Sequence, residues 1–198
     1  RGDEAVKEFT REFDKVTLDN FQVTDTEFEE AVPAVSEELK EAIILARENI
    51  EKFHAAQRTA RVEVETAPGV KCWQEKRPIQ KVGLYIPGGT APLFSTILML
   101  AIPARLAGCE EIILCSPPDH EGKLHPAVLF TARLCGVTRV FKVGGIQAIA
   151  GMTHGTQSIP KVYKIFGPGN QYVTAAKQFA TKKGVAIDMP AGPSELLI

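Results

Sequence analysis

Three glycine-rich breaks, each following a short apolar run, are the parts of this sequence best suited to hold a ligand. They are Pro87-Gly88-Gly89, Gly144-Gly145 and Gly167-Pro168-Gly169-Asn170. Glycine lets the backbone approach a bound molecule closely, and the start of a following helix offers free N–H groups. One break alone is best explained as an ordinary turn. Three together favour a ligand-binding edge as much as they favour three ordinary turns.

A polar side chain accompanies each break. Tyr85 precedes the first, Gln147 follows the second and Asn170 ends the third. A Tyr inside a strand is more often a core aromatic with a bonded hydroxyl, and an Asn before a helix is most simply a cap. Gln147 could also cap a helix. The position of Tyr85 next to the first break makes a ligand contact credible, and Gln147 and Asn170 could equally present their amides to a ligand. At this point both interpretations stay open.

The common signatures of nucleotide, metal and nucleophile sites are missing. No G-x-G-x-x-G follows the first apolar strand, and Cys115-Ser116-Pro117 stands where an acid would bind a ribose hydroxyl. His120 and His125 are five apart, but no neighbouring Cys or acid completes a zinc ligand set. No nucleophile elbow and no Walker loop occur. Motifs alone therefore support NAD binding weakly and metal binding hardly at all.

The elements that must position these residues alternate between strands and helices from residue 81 onward. Apolar runs predict strands at 82–86, 112–115, 139–143, 162–166 and 185–188, with a sixth beginning at 196–198. Helices are predicted at 95–107, 126–135, from about 147, and at 171–183. Strands that are apolar throughout indicate a parallel sheet covered on both faces. The carboxyl ends of such strands share one edge, so the three breaks should meet there.

The first 80 residues have a different pattern, charged and helical. Phe9, Phe13 and Val16 recur at helical spacing, while Thr24 and Ser36 are candidate N-caps. Alternation over 61–65, a Pro-Gly turn and a second run at 71–74 predict a β-hairpin with half-exposed strands. The predicted fold class is therefore α/β: a Rossmann-like parallel sheet with helices on both faces, preceded by a helical segment and a β-hairpin.

We expect three regions along the chain. Residues 1–80 form the helical segment with the hairpin, as part of a larger first domain. Residues 81–193 form the Rossmann-like domain, and residues 194–198 begin a return into the first domain.

Composition limits the possible partners and compartment. The 198 residues include 23 basic and 24 acidic side chains, a net charge of −1, so no basic surface favours nucleic acid. No apolar run is long enough to cross a bilayer. Four cysteines without a C-x-x-C pair suit reduced thiols in the cytoplasm. The chain opens without an initiator Met, so we expect that the natural N-terminus is missing and that a targeting segment could have preceded it.

Four longer sequence segments carry more information than any single motif. They are Val82-Gly83-Leu84-Tyr85-Ile86-Pro87-Gly88-Gly89, Gly144-Gly145-Ile146-Gln147-Ala148, Phe166-Gly167-Pro168-Gly169-Asn170 and Asp188-Met189-Pro190-Ala191-Gly192-Pro193-Ser194-Glu195. In their order and spacing they resemble the histidinol dehydrogenases, a family of NAD-dependent zinc enzymes. Leu114-Cys115-Ser116-Pro117-Pro118 and Arg1-Gly2-Asp3-Glu4-Ala5 fit as well, so the resemblance covers the whole chain.

That resemblance implies a function and a set of site residues. Tyr85, Gln147 and Asn170 match positions that contact NAD, and Ser194 matches one that contacts substrate. The family oxidises L-histidinol to L-histidinal and then to L-histidine, reduces two NAD⁺, and acts as a homodimer. Its zinc ligands and its Glu–His acid–base pair are expected beyond residue 198. We therefore predict no catalytic or metal-binding residue within this chain, and no turnover of histidinol by the chain alone.

Two alternatives remain beside this hypothesis. One is a non-catalytic α/β module that binds a nucleotide or a protein partner. The other is a different NAD-dependent alcohol or aldehyde dehydrogenase, which would be favoured by an exposed cysteine nucleophile after a strand. Cys115, followed within three residues by two prolines, is poorly placed for that role.

Overall fold

A computed structural model describes residues 1–88 and 92–190 of the chain. Helix α1 spans Asp3–Phe9 and continues into a π-helical turn at Thr10–Asp14, and it is followed by α2 (Asp25–Ala34) and α3 (Glu37–Ala55). The remaining helices are α4 (Phe94–Ala107), α5 (Pro126–Leu134), α6 (Gly145–His154) and α7 (Gln171–Thr181). The strands are β1 (Val62–Ala67), β2 (Val70–Gln74), β3 (Lys81–Tyr85), β4 (Glu111–Ser116), β5 (Arg139–Lys142), β6 (Lys164–Phe166) and β7 (Ala186–Ile187). None of the described helices is both long and apolar enough to cross a membrane.

Five of the strands form the parallel sheet that the sequence predicts. Their spatial order is β5-β4-β3-β6-β7, and every neighbouring pair is parallel. Strands β3 and β4 are buried along nearly their whole length, which explains why they are apolar throughout. The predicted α/β class with a parallel sheet is confirmed.

Helices cover both faces of this sheet and create two cores. On one face α4 and α5 pack with α2 and α3, around buried side chains such as Leu84, Ile102 and Leu114. On the other face α6 and α7 pack with α1, around Ile113, Phe141 and Ile165. Alternate residues of the central strands thus enter opposite cores, as the pleat of a strand requires.

The N-terminal helices begin where the sequence predicts them to begin. Thr24 caps α2 through a complete capping box with Glu27, and the Ser36 hydroxyl accepts a hydrogen bond from the N–H of Leu39 at 3.3 Å. The first helix differs from the prediction. It ends in the π-helical turn, and Lys15 then takes a left-handed conformation with φ 60°, so Val16 leaves the helical face that Phe9 and Phe13 share.

The predicted hairpin is present but is more exposed than its alternating pattern suggested. Strands β1 and β2 pair antiparallel around the Pro68-Gly69 turn, and every residue in both strands is exposed. Other differences are confined to element ends. For example, β6 starts at Lys164 rather than at 162 and α7 ends at Thr181 rather than at 183. The sixth strand predicted at 196–198 lies outside the described residues.

Candidate functional site

The loops that follow β3, β4 and β5 meet around one proline. A Cβ atom added to Gly88 would lie 2.5 Å from Pro117 Cγ, and one added to Gly144 would lie 2.4 Å from Pro117 Cβ. Such separations are too short for any side chain, so both positions require glycine. The glycine breaks therefore converge at the carboxyl edge of the sheet, as the sequence analysis predicts.

A cleft of about 710 Å³ opens beside this convergence. Its lining combines the three predicted polar residues with glycines, prolines and aromatic side chains: Phe13, Asp14, Tyr85, Pro87, Gly88, Pro117, Gly145, Ile146, Gln147, Asn170, Tyr172 and Val173. The structure thus brings Tyr85, Gln147 and Asn170 together on one rim. A mostly apolar cleft with a few convergent polar groups is the usual form of a cofactor or small-molecule site.

Tyr85 lies at the end of β3 and is a core aromatic with a bonded hydroxyl, the simpler of the two interpretations left open by the sequence. It is only 4% exposed, and its hydroxyl oxygen accepts a hydrogen bond from the Gly145 N–H at 3.2 Å. Burial raises the pKa of this phenol above its usual value, so the hydroxyl stays protonated at neutral pH. Tyr85 is therefore a core aromatic that also forms part of the cleft wall and ties the first break to the second.

Asn170 caps the helix that follows the third break. Its Oδ1 accepts hydrogen bonds from the N–H groups of Tyr172 and Val173, both at 3.0 Å. The cap explains why Asn stands at this position, and it confirms the simpler of the two interpretations, that Asn170 is a helix cap. Because the same residue lines the cleft, the cap also fixes where α7 begins relative to the cleft.

Gln147 has the most unusual environment of the three residues. Its side chain is 3% exposed, and Nε2 donates a hydrogen bond to Asp14 Oδ2 at 2.9 Å. Its Oε1 is buried and has no hydrogen-bond partner in the described part of the chain. Burial raises the pKa of Asp14, an effect that the hydrogen bond from Gln147 opposes. An unpartnered buried acceptor is rare in a folded protein and calls for an explanation.

The break after β6 is held by a partly buried ion pair. Lys177 of α7 bonds Asp188 and also donates from Nζ to the Gly167 carbonyl at 2.8 Å. The carboxylate of Asp188 accepts from the Gly167 N–H at 2.8 Å, so both backbone groups of this glycine are fixed. Gly167 has φ 134°, and a Cβ there would lie 2.0 Å from the carbonyl oxygen of Tyr85. The third break is thus pressed against the end of β3.

Strand order explains why a cleft exists at this edge. The chain builds β3, β4 and β5 outward in one direction, then returns to place β6 on the other side of β3. The loops after β3 and β6 consequently lead to helices on opposite faces of the sheet. Ligands of open α/β sheets bind in the crevice at such a switch point, and this strand order matches the first five strands of the dinucleotide-binding arrangement.

Sequence reasoning missed several residues of the cleft. Asp14 and Phe13 come from the π-helical turn, more than 70 residues before Tyr85 in the chain. Phe13 is 54% exposed and Tyr172 66% exposed, and both side chains line the cleft. No local signal marks Asp14, and the spacing of Phe13 indicates only a helical face shared with Phe9, on which it stacks with the ring centroids 5.9 Å apart.

Other candidate residues lie elsewhere or outside the described chain. Ser194 falls beyond residue 190 and is not described. Within residues 1–88 and 92–190, no three His, Cys, Asp or Glu side chains are grouped so that they could hold a metal. His125 instead caps α5 by accepting from the Ala127 N–H at 3.2 Å. Cys115 is fully buried, and burial raises the pKa of its thiol, which disfavours a nucleophilic thiolate.

Comparison with known proteins decides the family. The family model described as "Histidinol dehydrogenase" matches residues 1–198. The chain belongs to the histidinol dehydrogenase family. This confirms the resemblance indicated by the four sequence segments. It also excludes membership in an unrelated alcohol or aldehyde dehydrogenase family.

Curated relatives and a solved structure agree with that assignment. Histidinol dehydrogenase of Bacteroides thetaiotaomicron is 63% identical over 195 residues, which is 98% of this chain and 46% of that protein. The enzyme of Escherichia coli O6:H1 is 55% identical over 200 residues, covering 100% of this chain and 45% of that protein. The crystal structure of histidinol dehydrogenase from Elizabethkingia anophelis has a TM-score of 0.95 and 58% identity, covering 97% of this chain and 44% of that one. The chain thus spans about half the length of the histidinol dehydrogenases that it matches.

Proposed function

We propose that this chain forms the cofactor-binding part of a histidinol dehydrogenase that oxidises L-histidinol through L-histidinal to L-histidine with NAD. Family membership supports the reaction. The observation that carries the cofactor assignment is the cleft at the switch point, where Tyr85, Gln147 and Asn170 share one rim. Under this proposal those three residues contact NAD and Ser194 contacts the substrate.

The residues of the cleft fit a dinucleotide. Gly88 and Gly145 line the cleft and present backbone to it, and α6 begins at Gly145. The exposed faces of Phe13 and Tyr172 offer planar surfaces for a base. The buried, unpartnered Oε1 of Gln147 offers an acceptor for a ligand donor. These features match an apolar cleft with a few polar anchors rather than a charged phosphate loop.

NAD, when bound, supplies the acceptor for the hydride that leaves the substrate alcohol. The residues of this chain bind NAD and orient it. The Tyr85 hydroxyl fixes the Gly145 N–H, the Asn170 amide fixes the start of α7, and the aromatic walls exclude water from the cleft. Within the described cleft, Tyr85 has a raised pKa and stays protonated, and the Asp14 carboxylate already accepts a hydrogen bond from the Gln147 amide. Proton removal is therefore assigned to residues beyond this region.

The described residues do not fit a zinc site, so none of them is assigned a role in holding the metal. We propose that the zinc ligands and the Glu–His pair of the family lie beyond residue 198. On this view the isolated chain binds NAD but does not turn over histidinol.

Several wider properties are part of the same proposal. We infer a homodimer, which is supported by exposed apolar side chains such as Trp73 in the hairpin. We infer a division at about residue 80; the hairpin, which forms a sheet of its own, supports it, while α1, α2 and α3 pack on the helices that cover the five-stranded sheet. Four free thiols suit a reducing cytoplasm, and the balanced charge gives no support to a nucleic-acid partner.

Calorimetric titration of the chain with NAD tests the cofactor assignment. Replacing Ile146 by Glu should lower NAD affinity at least about tenfold, because a carboxylate in the cleft wall opposes a negatively charged pyrophosphate. Ile79→Glu is the matched control, since both isoleucines are 37% exposed and Ile79 lies outside the cleft. Equal affinity in both variants, or no NAD binding by the unsubstituted chain, would contradict the assignment.

The reaction is tested with the full open reading frame that encodes this chain. Its product should form NADH from NAD in the presence of L-histidinol, and chelation of zinc should abolish that formation. The 198-residue chain alone should form none. Histidinol-dependent NADH formation by the purified 198-residue chain would show that the catalytic residues have been assigned to the wrong region.

A further inference from the structure

One side-chain pair in the cleft is not explained by the family assignment. Gln147 of α6 is almost completely buried, yet only one end of its amide is bonded within the described chain. Nε2 donates to Asp14 Oδ2 at 2.9 Å, while Oε1 is left without a partner. Both residues line the cleft. The pair is thus polar, buried and half satisfied at the place where a ligand is expected.

The carboxylate of Asp14 decides which way the amide faces. An ionised carboxylate only accepts hydrogen bonds, so it can face the NH₂ end of Gln147 but not the oxygen end. Without such a neighbour the two ends of an amide are nearly equal in size and can exchange places. With Asp14 charged, Oε1 must face away from it. It then lies beneath Gly145, where an added Cβ would be 2.9 Å from this oxygen.

Helix α1 is anchored separately at its two ends, at its start through Asp3 and at its far end through Asp14. At its start, the Ser158 hydroxyl donates to Asp3 Oδ2 at 2.7 Å, and the Asp3 N–H donates to Gln157 Oε1 at 2.9 Å. At its far end, the π-helical turn carries Asp14 to Gln147. The two aspartates therefore resemble each other as tethers between α1 and the α6 region, but only Asp14 touches a residue of the cleft rim.

We propose that Asp14 is a positioning residue: it holds the Gln147 amide so that Oε1 is kept as an acceptor for a donor group of the bound ligand. This rests on the proposed function, in which the ligand is NAD and the donor is one of its hydroxyl or amino groups. A simple tether between helices would gain nothing from leaving Oε1 unbonded in a cleft wall, because a buried acceptor without a partner is destabilising. A ligand donor removes that penalty.

Exchanging the two functional groups tests the orientation directly. In Gln147→Glu two carboxylates face each other, and NAD affinity should fall about tenfold because one of them must take up a proton. In the double variant Asp14→Asn/Gln147→Glu, the Asn amide donates to one Glu oxygen and leaves the other as an acceptor. The double variant should therefore recover NAD affinity to within about twofold of the unsubstituted chain, since the competent orientation is again the populated one.

Asp3→Asn is the control for a purely structural tether. It weakens the anchor at the other end of α1 and should lower the melting temperature while leaving NAD affinity unchanged. Asp14→Asn alone should lower NAD affinity about twofold, because a neutral partner satisfies both orientations of the Gln147 amide. If Asp3→Asn and Asp14→Asn reduce affinity equally, or if the double variant binds no better than Gln147→Glu, the proposal is overturned.

Side-chain amide resonances in ¹⁵N–¹H spectra test the positioning role of Asp14 independently of the proposal that the ligand is NAD. The Gln147 NH₂ resonances should shift in Asp14→Asn and stay in place in Asp3→Asn, whether or not NAD is added. Failure of the unsubstituted chain to bind NAD would overturn the proposed cofactor and the ligand role of Oε1 with it. Unshifted Gln147 resonances in Asp14→Asn would overturn the positioning role even in a chain that binds NAD well.

Discussion

The five-stranded sheet and the two-stranded hairpin use similar residues in opposite ways. In β3 and β4 nearly every side chain is buried, and helices cover both faces. In β1 and β2 every residue is exposed, including Val62, Val64 and Trp73. Strands β3 and β4 each pair with a neighbouring strand on both edges, whereas in the described part of the chain β1 and β2 pair only with each other, so the two regions differ in pairing as well as in cover.

The difference shows what fixes the cleft in place. Strands covered on two faces cannot shift without disturbing two cores. The loops at their carboxyl ends are therefore held in fixed positions relative to one another. A two-stranded hairpin without a covered face is only marginally stable by itself. The residues proposed to bind the cofactor all stand on the covered region, and none stands on the hairpin. Substitutions in the two regions should therefore have very different effects.

The largest effect is expected at Gly167, where the break after β6 meets the end of β3. Gly167→Ala should cost about 4 kcal/mol of unfolding free energy, because positive φ and the clash with the Tyr85 carbonyl add together. Gly69→Ala in the hairpin turn is the matched control: φ is 79°, but no atom lies within 4 Å of the added Cβ. It should cost about 1 kcal/mol. Denaturant unfolding compares the two, and equal costs would refute the argument from packing.

The second-largest loss of unfolding free energy is expected from a substitution in the core. Leu114→Ala in β4 removes a fully buried side chain and should cost about 3 kcal/mol. Val64→Ala in β1, where the side chain is 51% exposed, should cost less than about 0.5 kcal/mol. Urea unfolding curves measure both. A cost above about 2 kcal/mol for Val64→Ala would mean that the hairpin is covered in solution.

A smaller effect is expected at Tyr85. Tyr85→Phe keeps the ring but leaves the Gly145 N–H without its acceptor, so unfolding free energy should fall by about 1 kcal/mol. NAD affinity should fall as well, because the first two breaks are no longer joined. The exposed Tyr172→Phe is the control for stability, and it should leave the melting temperature unchanged. An unchanged melting temperature in Tyr85→Phe would show that this hydrogen bond contributes nothing.

The smallest effect concerns pH and the contact between α2 and β5. Burial alone would raise the pKa of Glu27, but hydrogen bonds from Lys142 and Thr24 outweigh it and hold the pKa below its ordinary value of 4.5. Because the folded pKa is the lower one, the stabilisation is complete above pH 4.5 and is lost as pH falls through the folded pKa. Melting temperatures from pH 7 downward should drop less in Glu27→Gln than in the unsubstituted chain. Parallel curves would contradict this linkage.

Much of the covered region could be predicted from the sequence, for a physical reason. Strands such as 112–115 are apolar at every position because two cores must be filled, and glycine or proline marks where each strand ends. The residue types at Thr24, Ser36 and Asn170 are dictated by helix caps, which are local interactions. Local rules thus predicted the elements, and parallel pairing then placed Tyr85, Gln147 and Asn170 on one edge.

What the sequence did not show depends on contacts between distant parts of the chain. Asp14 reaches the cleft only because α1 packs on α6, and no spacing rule links it to Gln147. The pair of Lys177 and Asp188 holds Gly167 through contacts that span two elements. The exposed hairpin was predicted to be half covered because alternation shows which side chains share a face, but not whether anything packs on it.

The π-helical turn at Thr10–Asp14 has a consequence for how this protein tolerates changes in length. Such a turn contains one residue more than the α-helical turn it replaces. Deleting one of the residues from Thr10 to Phe13 would restore a regular helix, but it would swing Asp14 by about 100° around the helix axis. The helix would still pack and the fold would survive, while the carboxylate would no longer point at its amide. A single inserted residue thus serves to aim one side chain.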